Sequence, residues 1–245
     1  MKRILFRVGS ALVLLSCVGA TRTDRLDVTY ANGQNGAPSS SSGIFTGVRR
    51  DYVTPPNPHA VVLSDFDRDG ILDMAVSGYG DSRSDRIIVY SGRPDGTFST
   101  RQTLMARELS GGIAAGDFDG DGWADLAVLS DYDHMLSIYP GNADATFRAP
   151  IETLTLPGTY PQSFVVADLD GDSKLDVVVN YISATLSVLM GNGDGTLVIA
   201  EDSLGFEPDP ISVLSGDFDG DGYPDLGVLE SRANRISVLI NQMRQ

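Results

Sequence analysis

At 245 residues the chain is long enough to bury one sizeable core. Its 18 Lys and Arg stand against 33 Asp and Glu, a formal charge of −15, which excludes a basic surface for nucleic-acid phosphates and electrostatic docking on anionic lipid. The acid is almost all Asp, 28 against 5 Glu, beside 27 Gly and 12 Pro. Asp concentrates in turns and metal loops whereas Glu suits helix surfaces, so this balance predicts an all-β chain with many short turns.

The first 20 residues read as an export signal: Lys2, Arg3 and Arg7 form a basic region, followed by a short apolar stretch from Val8 to Leu15. That stretch falls short of the ~20 apolar residues a bilayer span needs. Cys17 is the only cysteine, so no intramolecular disulfide forms. Leu14-Leu15-Ser16-Cys17 resembles a bacterial lipobox, which implies lipidation of Cys17 and attachment to a membrane through that lipid alone. Cleavage after Val18-Gly19-Ala20, with loss of the cysteine, is the alternative. Residues 21–43, rich in Asn, Gly and Ser, read as a flexible linker, and 44–245 as the folded domain.

That domain is a repeat. Asp65-Phe66-Asp67-Arg68-Asp69-Gly70-Ile71-Leu72-Asp73 recurs from Asp117 to Asp125, from Asp168 to Asp176 and from Asp217 to Asp225, at steps of 52, 51 and 49 residues. These nonapeptides hold 16 of the 28 Asp, which accounts for the excess of Asp over Glu. Each lies between short β-branched runs: Ala60 to Leu63 before the first and Met74 to Val76 after it, with a third run over Arg86 to Tyr90 and a fourth from Thr97-Phe98. Four strands per period is the unit of a propeller blade, so the pattern predicts a β-propeller of about four four-stranded blades.

The last period stops after its third run, Arg235 to Ile240, while Gly43-Ile44-Phe45 echoes Gly96-Thr97-Phe98. A strand over residues 44–53 is therefore expected to close the last blade and hide both edges. The alternatives are that two open chains associate into a larger ring, or that the chain is a fragment of one.

Carboxylates at alternate positions repel one another unless a cation lies between them, and oxygen donors at this density suit calcium. Positions one, three and five supply side chains: Asp65, Asp67 and Asp69; Asp117, Asp119 and Asp121; Asp168, Asp170 and Asp172; Asp217, Asp219 and Asp221. Position seven offers a backbone carbonyl, from Ile71, Trp123, Lys174 and Tyr223, and position nine a further carboxylate, from Asp73, Asp125, Asp176 and Asp225. Up to four Ca2+ are expected, one per loop. Position six needs a sharp bend that Gly70, Gly122 and Gly222 permit and Ser173 resists, so the third loop is expected to be the weakest.

Strands rather than helices flank these loops, and the last acid is Asp at position nine. In this the chain resembles the FG-GAP/VCBS repeat family of integrin α-subunit propellers and bacterial exported proteins. Leu186 to Thr196, with Gly191-Asn192-Gly193-Asp194-Gly195, is especially similar to the bacterial form. The resemblance implies the propeller fold, the calcium loops and a periplasmic, outer-membrane-anchored or extracellular place in a bacterium. The Phe-Gly and Gly-Ala-Pro tags of the integrin form are absent, so integrin-type adhesion is not among its implications.

No catalytic residue is assigned. His59 and His134 read as exposed loop residues, and no nucleophile elbow, phosphate loop or zinc motif occurs. Trp123, Tyr223, Tyr79, Tyr132, Tyr160 and Tyr181 read either as sugar-stacking aromatics or as packing residues. The expected role is a non-catalytic binding or scaffold module for a protein or carbohydrate ligand. The alternative is a calcium-dependent secreted polysaccharide lyase or hydrolase acting at the propeller mouth.

Overall fold

The computed structural model describes residues 4–8, 11–15, 49–78, 86–106, 110–131, 133–158, 160–205 and 210–242. Cys17, the linker expected over 21–43, residues 44–48 of the expected closing strand, Tyr79 and Tyr132 lie outside the described residues. Strand β1 (Ile4–Val8) pairs antiparallel with β2 (Ala11–Leu15), so the chain's first described residues form a hairpin. β2 lies against β3 (Pro58–Ser64).

Four antiparallel sheets follow, one per period. Blade one comprises β3, β4 (Asp73–Gly78), β5 (Arg86–Gly92) and β6 (Phe98–Met105), paired in that order. Blade two is β7 (Ser110–Gly116), β8 (Asp125–Ser130), β9 (Met135–Tyr139) and β10 (Ile151–Thr155). Blade three is β11 (Pro161–Ala167), β12 (Asp176–Tyr181), β13 (Thr185–Gly191) and β14 (Leu197–Gly205). Blade four has β15 (Pro210–Gly216), β16 (Asp225–Glu230) and β17 (Arg235–Leu239). The fold is that of β-propeller blades, as the four-strand period implies.

Two elements depart from the sequence reading. The fourth strand of blade two starts at Ile151, and Phe147 makes only an isolated bridge to Gly141. Pro150 stands between them and has no N–H for the ladder. The expected closing strand over 44–53 is corrected as far as it is described: residues 49–53 form no strand, and blade four has three strands among the described residues. Instead Arg50 donates to the Asp95 carbonyl at 3.2 Å, and the Tyr52 hydroxyl accepts from the Phe98 N–H at 3.1 Å, which holds this segment on blade one.

Burial explains the strand sequences. The second strands β8 and β12 are buried at every position, because each is covered by blades on both sides, and they carry the apolar runs Leu126 to Leu129 and Val177 to Val179. The outer strand β6 is largely exposed and carries Ser, Thr, Arg and Gln. The core lies between blades. One cluster joins Val62, Phe66, Ile87 and Val89 of blade one to Leu126, Val128 and Phe147 of blade two. A second joins Phe118, Leu136 and Ile138 to Val177, Val179 and Leu197, and a third joins Leu169, Val178 and Leu186 to Val213, Leu226 and Val228.

Each blade also repeats one irregularity. The pairing of its first two strands slips by one residue near the start, between Pro58 and Ala60, Ser110 and Gly112, Pro161 and Ser163, and Pro210 and Ser212. Such bulges increase local twist. His59 is the bulged residue of β3 and is partly buried, which corrects its reading as an exposed loop residue.

In blades one to three the glycine at or just after the end of the third strand is set by close approach. A Cβ on Gly92, Gly141 or Gly191 would stand 2.2, 2.3 or 2.3 Å from the carbonyl oxygen of Leu72, Ala124 or Leu175. Gly141→Ala is therefore expected to destabilise the protein by about 1–3 kcal/mol, read as a lower midpoint in urea unfolding. An unchanged midpoint would refute the packing described.

Candidate metal centres on one rim

Each nonapeptide is the loop of a β-hairpin. The last ladder pairs before the loop are Ser64 with Asp73, Gly116 with Asp125, Ala167 with Asp176 and Gly216 with Asp225. Positions one to eight thus project beyond the sheet, and position nine begins the second strand. All four loops join the same two strands of their blades, which places them on one rim.

Asx-type hydrogen bonds wind the loops. The position-one carboxylate accepts from positions four to six, as Asp168 does from Gly171 at 2.8 Å and Ser173 at 3.0 Å. Position three accepts from the position-five N–H, and position five from the position-seven N–H. Two residues per loop adopt the left-handed backbone. At position six these are Gly70, Gly122, Ser173 and Gly222, and at position four Arg68, Gly120, Gly171 and Gly220. The second set escaped the sequence reading, although Gly stands there in three loops of four. Ser173, with φ 69°, and Arg68, with φ 60°, each hold a conformation that L side chains resist.

The position-nine aspartates are 0–1% exposed. Each uses both oxygens to accept backbone N–H groups. One oxygen binds position two: Phe66 to Asp73 at 2.9 Å, Phe118 to Asp125 at 2.8 Å, Leu169 to Asp176 at 2.8 Å and Phe218 to Asp225 at 2.7 Å. The other binds the residue after the third strand's apolar run: Gly92, Gly141, Gly191 and Asn241, at 2.7–2.8 Å. These partners were also missed; the glycine recurring after the third run in three of the four periods was the available signal.

Carboxylate oxygens of positions one, three and nine gather within 4.8 Å of one another in all four loops: Asp65, Asp67 and Asp73; Asp117, Asp119 and Asp125; Asp168, Asp170 and Asp176; Asp217, Asp219 and Asp225. Three hard oxygens around one point suit a divalent ion of the calcium type. Burial raises the carboxyls of Asp73 and Asp176, and pushes that of Asp125 up to about 6, against the N–H bonds that lower them. Asp225, in the thinly covered last blade, is instead held below the usual range, chiefly by the Asn241 N–H.

Position five is outside these clusters, and in two loops a basic side chain approaches the carboxylates at position three or five. Arg148 reaches Asp119 at 2.9 Å and Asp121 at 3.4 Å, and Lys174 reaches Asp172 at 2.7 Å. Of the position-seven side chains, Trp123 lies under the Arg68 guanidinium at 4.9 Å, and the Tyr223 ring abuts Gly171. Both aromatics join neighbouring loops, as packing residues do. Tyr181 is fully buried and Tyr160 is 56% exposed.

The opposite rim carries different chemistry. His134, partly buried, bonds the Gly158 carbonyl through Nδ1 at 2.9 Å, and its ring lies 5.9 Å from that of Tyr160. Nearby, Asp131 has a buried Oδ1 without a hydrogen-bond partner, and burial pushes its carboxyl up to about 7. Back beside the third and fourth aspartate loops, a groove of about 600 Å3 opens between blades three and four, lined by Leu169, Asp170, Met190, Asp225, Leu226 and Ile240. In the two earlier interfaces Phe147 and Leu197, which lead the fourth strands, belong to the corresponding clusters.

Fold and loops together define a propeller-blade protein whose rim carries a row of acidic, metal-type loops. The chain belongs to the FG-GAP-like repeat family, whose model matches residues 65–128, 117–179 and 174–228. It is 25% identical over 149 residues to the T-cell immunomodulatory protein of Rattus norvegicus, a match covering 56% of this chain and 24% of that relative's length. Among solved structures it is similar to BBS1N in complex with ARL6DN, at 17% identity and TM-score 0.50, covering 80% of this chain and 56% of the other. It is also similar to the periplasmic gluconolactonase PpgL of Pseudomonas aeruginosa, at 14% identity and TM-score 0.44, covering 74% and 55%.

Two measurements follow from this geometry. Ser173→Gly is expected to raise stability by about 1 kcal/mol in urea unfolding, because it relieves the left-handed strain without removing a ligand; a lower midpoint would contradict the strain. For Asp131 the folded carboxyl lies above its unfolded value of 3.8. Its charge therefore costs stability increasingly as pH rises from about 4 through about 7. Asp131→Asn is expected to raise stability by about 2 kcal/mol at pH 8, allowing for partial exposure, and to do little at pH 4. Equal effects at both pH values would exclude a raised carboxyl.

Proposed function

We propose that the protein is an exported, calcium-loaded propeller module that binds a protein or carbohydrate ligand and performs no catalysis. The observation that carries this reading is the fourfold recurrence of three converging aspartates on one rim. Positions one, three and nine would hold the ion, with the position-five carboxylate and position-seven carbonyl completing an oxygen shell of the size calcium takes. Bound calcium supplies charge neutralisation here. Loss of the three basic residues of the leader leaves a mature charge of −18, and four ions bring it to −10. The loops present a rim whose shape depends on the ion, which suits recognition by a fixed surface.

The third loop is the weakest of the four in this reading. Ser173 is strained, and Lys174 competes for Asp172. Arg68 places a similar strain on the first loop. Lipidation of Cys17 would anchor the mature protein to a membrane, and cleavage after Ala20 would release it.

Titration calorimetry on the purified protein is expected to show up to four Ca2+ per chain. Thermal unfolding should move upward with calcium, each site filled at 100 times its dissociation constant adding about 2.7 kcal/mol. Asp117→Ala should remove one ion from the count. No uptake of calcium, or a melting curve indifferent to EGTA, would defeat the proposal. A panel of polysaccharide, ester and phosphodiester substrates tests the absence of catalysis, and turnover of any one would replace the binding module with an enzyme.

A further inference from the structure

Blade two carries a cation that its neighbours lack, aimed at its own aspartate loop. The residue after the lead of the fourth run is Ser99 in blade one and Val198 in blade three, but Arg148 in blade two. The backbone that presents Arg148 is fixed from both sides. Phe147 is buried in the first seam, and Gln102 of blade one accepts from its N–H at 2.7 Å and donates to its carbonyl at 3.0 Å. The Arg148 N–H donates to the Pro140 carbonyl at 2.8 Å. Only the half-exposed side chain remains to move.

That side chain reaches the oxygens which the loop's own winding leaves over. Asp119 gives Oδ1 to the Asp121 N–H at 3.1 Å, and Asp121 gives Oδ1 to the Trp123 N–H at 2.8 Å. Arg148 takes the two other oxygens, donating to Asp119 Oδ2 at 2.9 Å and to Asp121 Oδ2 at 3.4 Å. Asp119 converges with Asp117 and Asp125, and Asp121 is position five of the same loop. A guanidinium that bridges positions three and five engages carboxylates a divalent ion would need. The other loops differ. Lys174 pairs with Asp172 of its own loop, and Arg68 is turned onto Trp123. Among the described residues no cation pairs with a carboxylate of loop one or loop four.

We propose that Arg148 is the resident counter-cation of loop two, and that an ion entering this loop must displace it. The inference rests on the calcium reading of the loops and deepens it: loop two fills after the loops whose carboxylates carry no such cation. The reason is electrostatic. The guanidinium neutralises part of the charge that positions three and five bring together. An incoming ion forfeits that neutralisation and meets a positive charge tethered beside its site, on a backbone that cannot retreat. Arg148 is half exposed, so it is a weak competitor, one that lowers affinity without closing the site. Loop two thereby answers calcium in a higher range, and the rim changes in stages as calcium rises.

Trp123, the chain's one tryptophan, stands at position seven of loop two and makes this site readable by itself. The test records tryptophan fluorescence and calorimetry on the same calcium titration of the purified protein. In the wild type, calorimetric uptake should begin before the tryptophan signal moves. Arg148→Gln should lower the calcium midpoint of that signal by about tenfold and leave the number of ions unchanged. Arg148→Lys keeps the charge and should hold the midpoint near the wild-type value, which separates charge from packing. A tryptophan signal that leads the uptake, or stays silent while calorimetry records it, would overturn this inference alone. So would a midpoint that Arg148→Gln leaves in place or raises. A wild type that takes up no calcium defeats the proposed function, and this inference with it.

Discussion

The aspartate at position nine organises each blade. Its side chain is buried, and its two oxygens take N–H groups from opposite directions: one from the loop that precedes it, one from the chain leaving the third strand. A carboxylate in that place ties three strands together at the rim. It also brings a negative charge into a region where water cannot solvate it, and burial raises the carboxyl in three of the four loops. The aspartates at positions one and three converge on the same point. The fold thus creates an electrostatic deficit of the kind a divalent cation would offset.

Cations of the protein's own partly meet that deficit. Arg148 lies across Asp119 and Asp121, and Lys174 folds back onto Asp172. Both are about half exposed, so each pair is weak and easily exchanged. Loops two and three therefore differ from loops one and four in what an incoming ion must displace. Arg68 is drawn the other way, onto the face of Trp123, and links the first loop to the second. The rim behaves as a connected surface rather than as four separate turns.

Between the rims, stability resides in the seams between blades. Apolar residues two apart along β5, β9 and β13 face the next blade, and those of β8, β12 and β16 face back. An internal blade is consequently covered on both sides, and a terminal blade on one. The exposed Ile236, Val238 and Phe218 follow from that geometry and not from any local peculiarity of blade four.

The repeat, the strands, the hairpin loops and the converging aspartates were legible in the sequence, because each depends on residues within one period of about 50 positions. Alternation along a strand and Asp at every second loop position are local constraints, and local constraints leave local signatures. What escaped was set by contacts between distant segments. The left-handed turn at position four was obscured in the first loop by Arg68, and the Gly141 N–H meets Asp125 only after two strands have folded back. His134 binds Gly158 across 24 residues and is partly buried, where its neighbours in sequence suggested an exposed turn. The expected closing strand is tested only over residues 49–53, which form no strand, because its motif at residues 43–45 lies outside the described residues. Whether a segment before blade one completes the same chain's last blade depends on the angle between successive blades. Side-chain packing in the three seams sets that angle, and no single stretch of sequence encodes it.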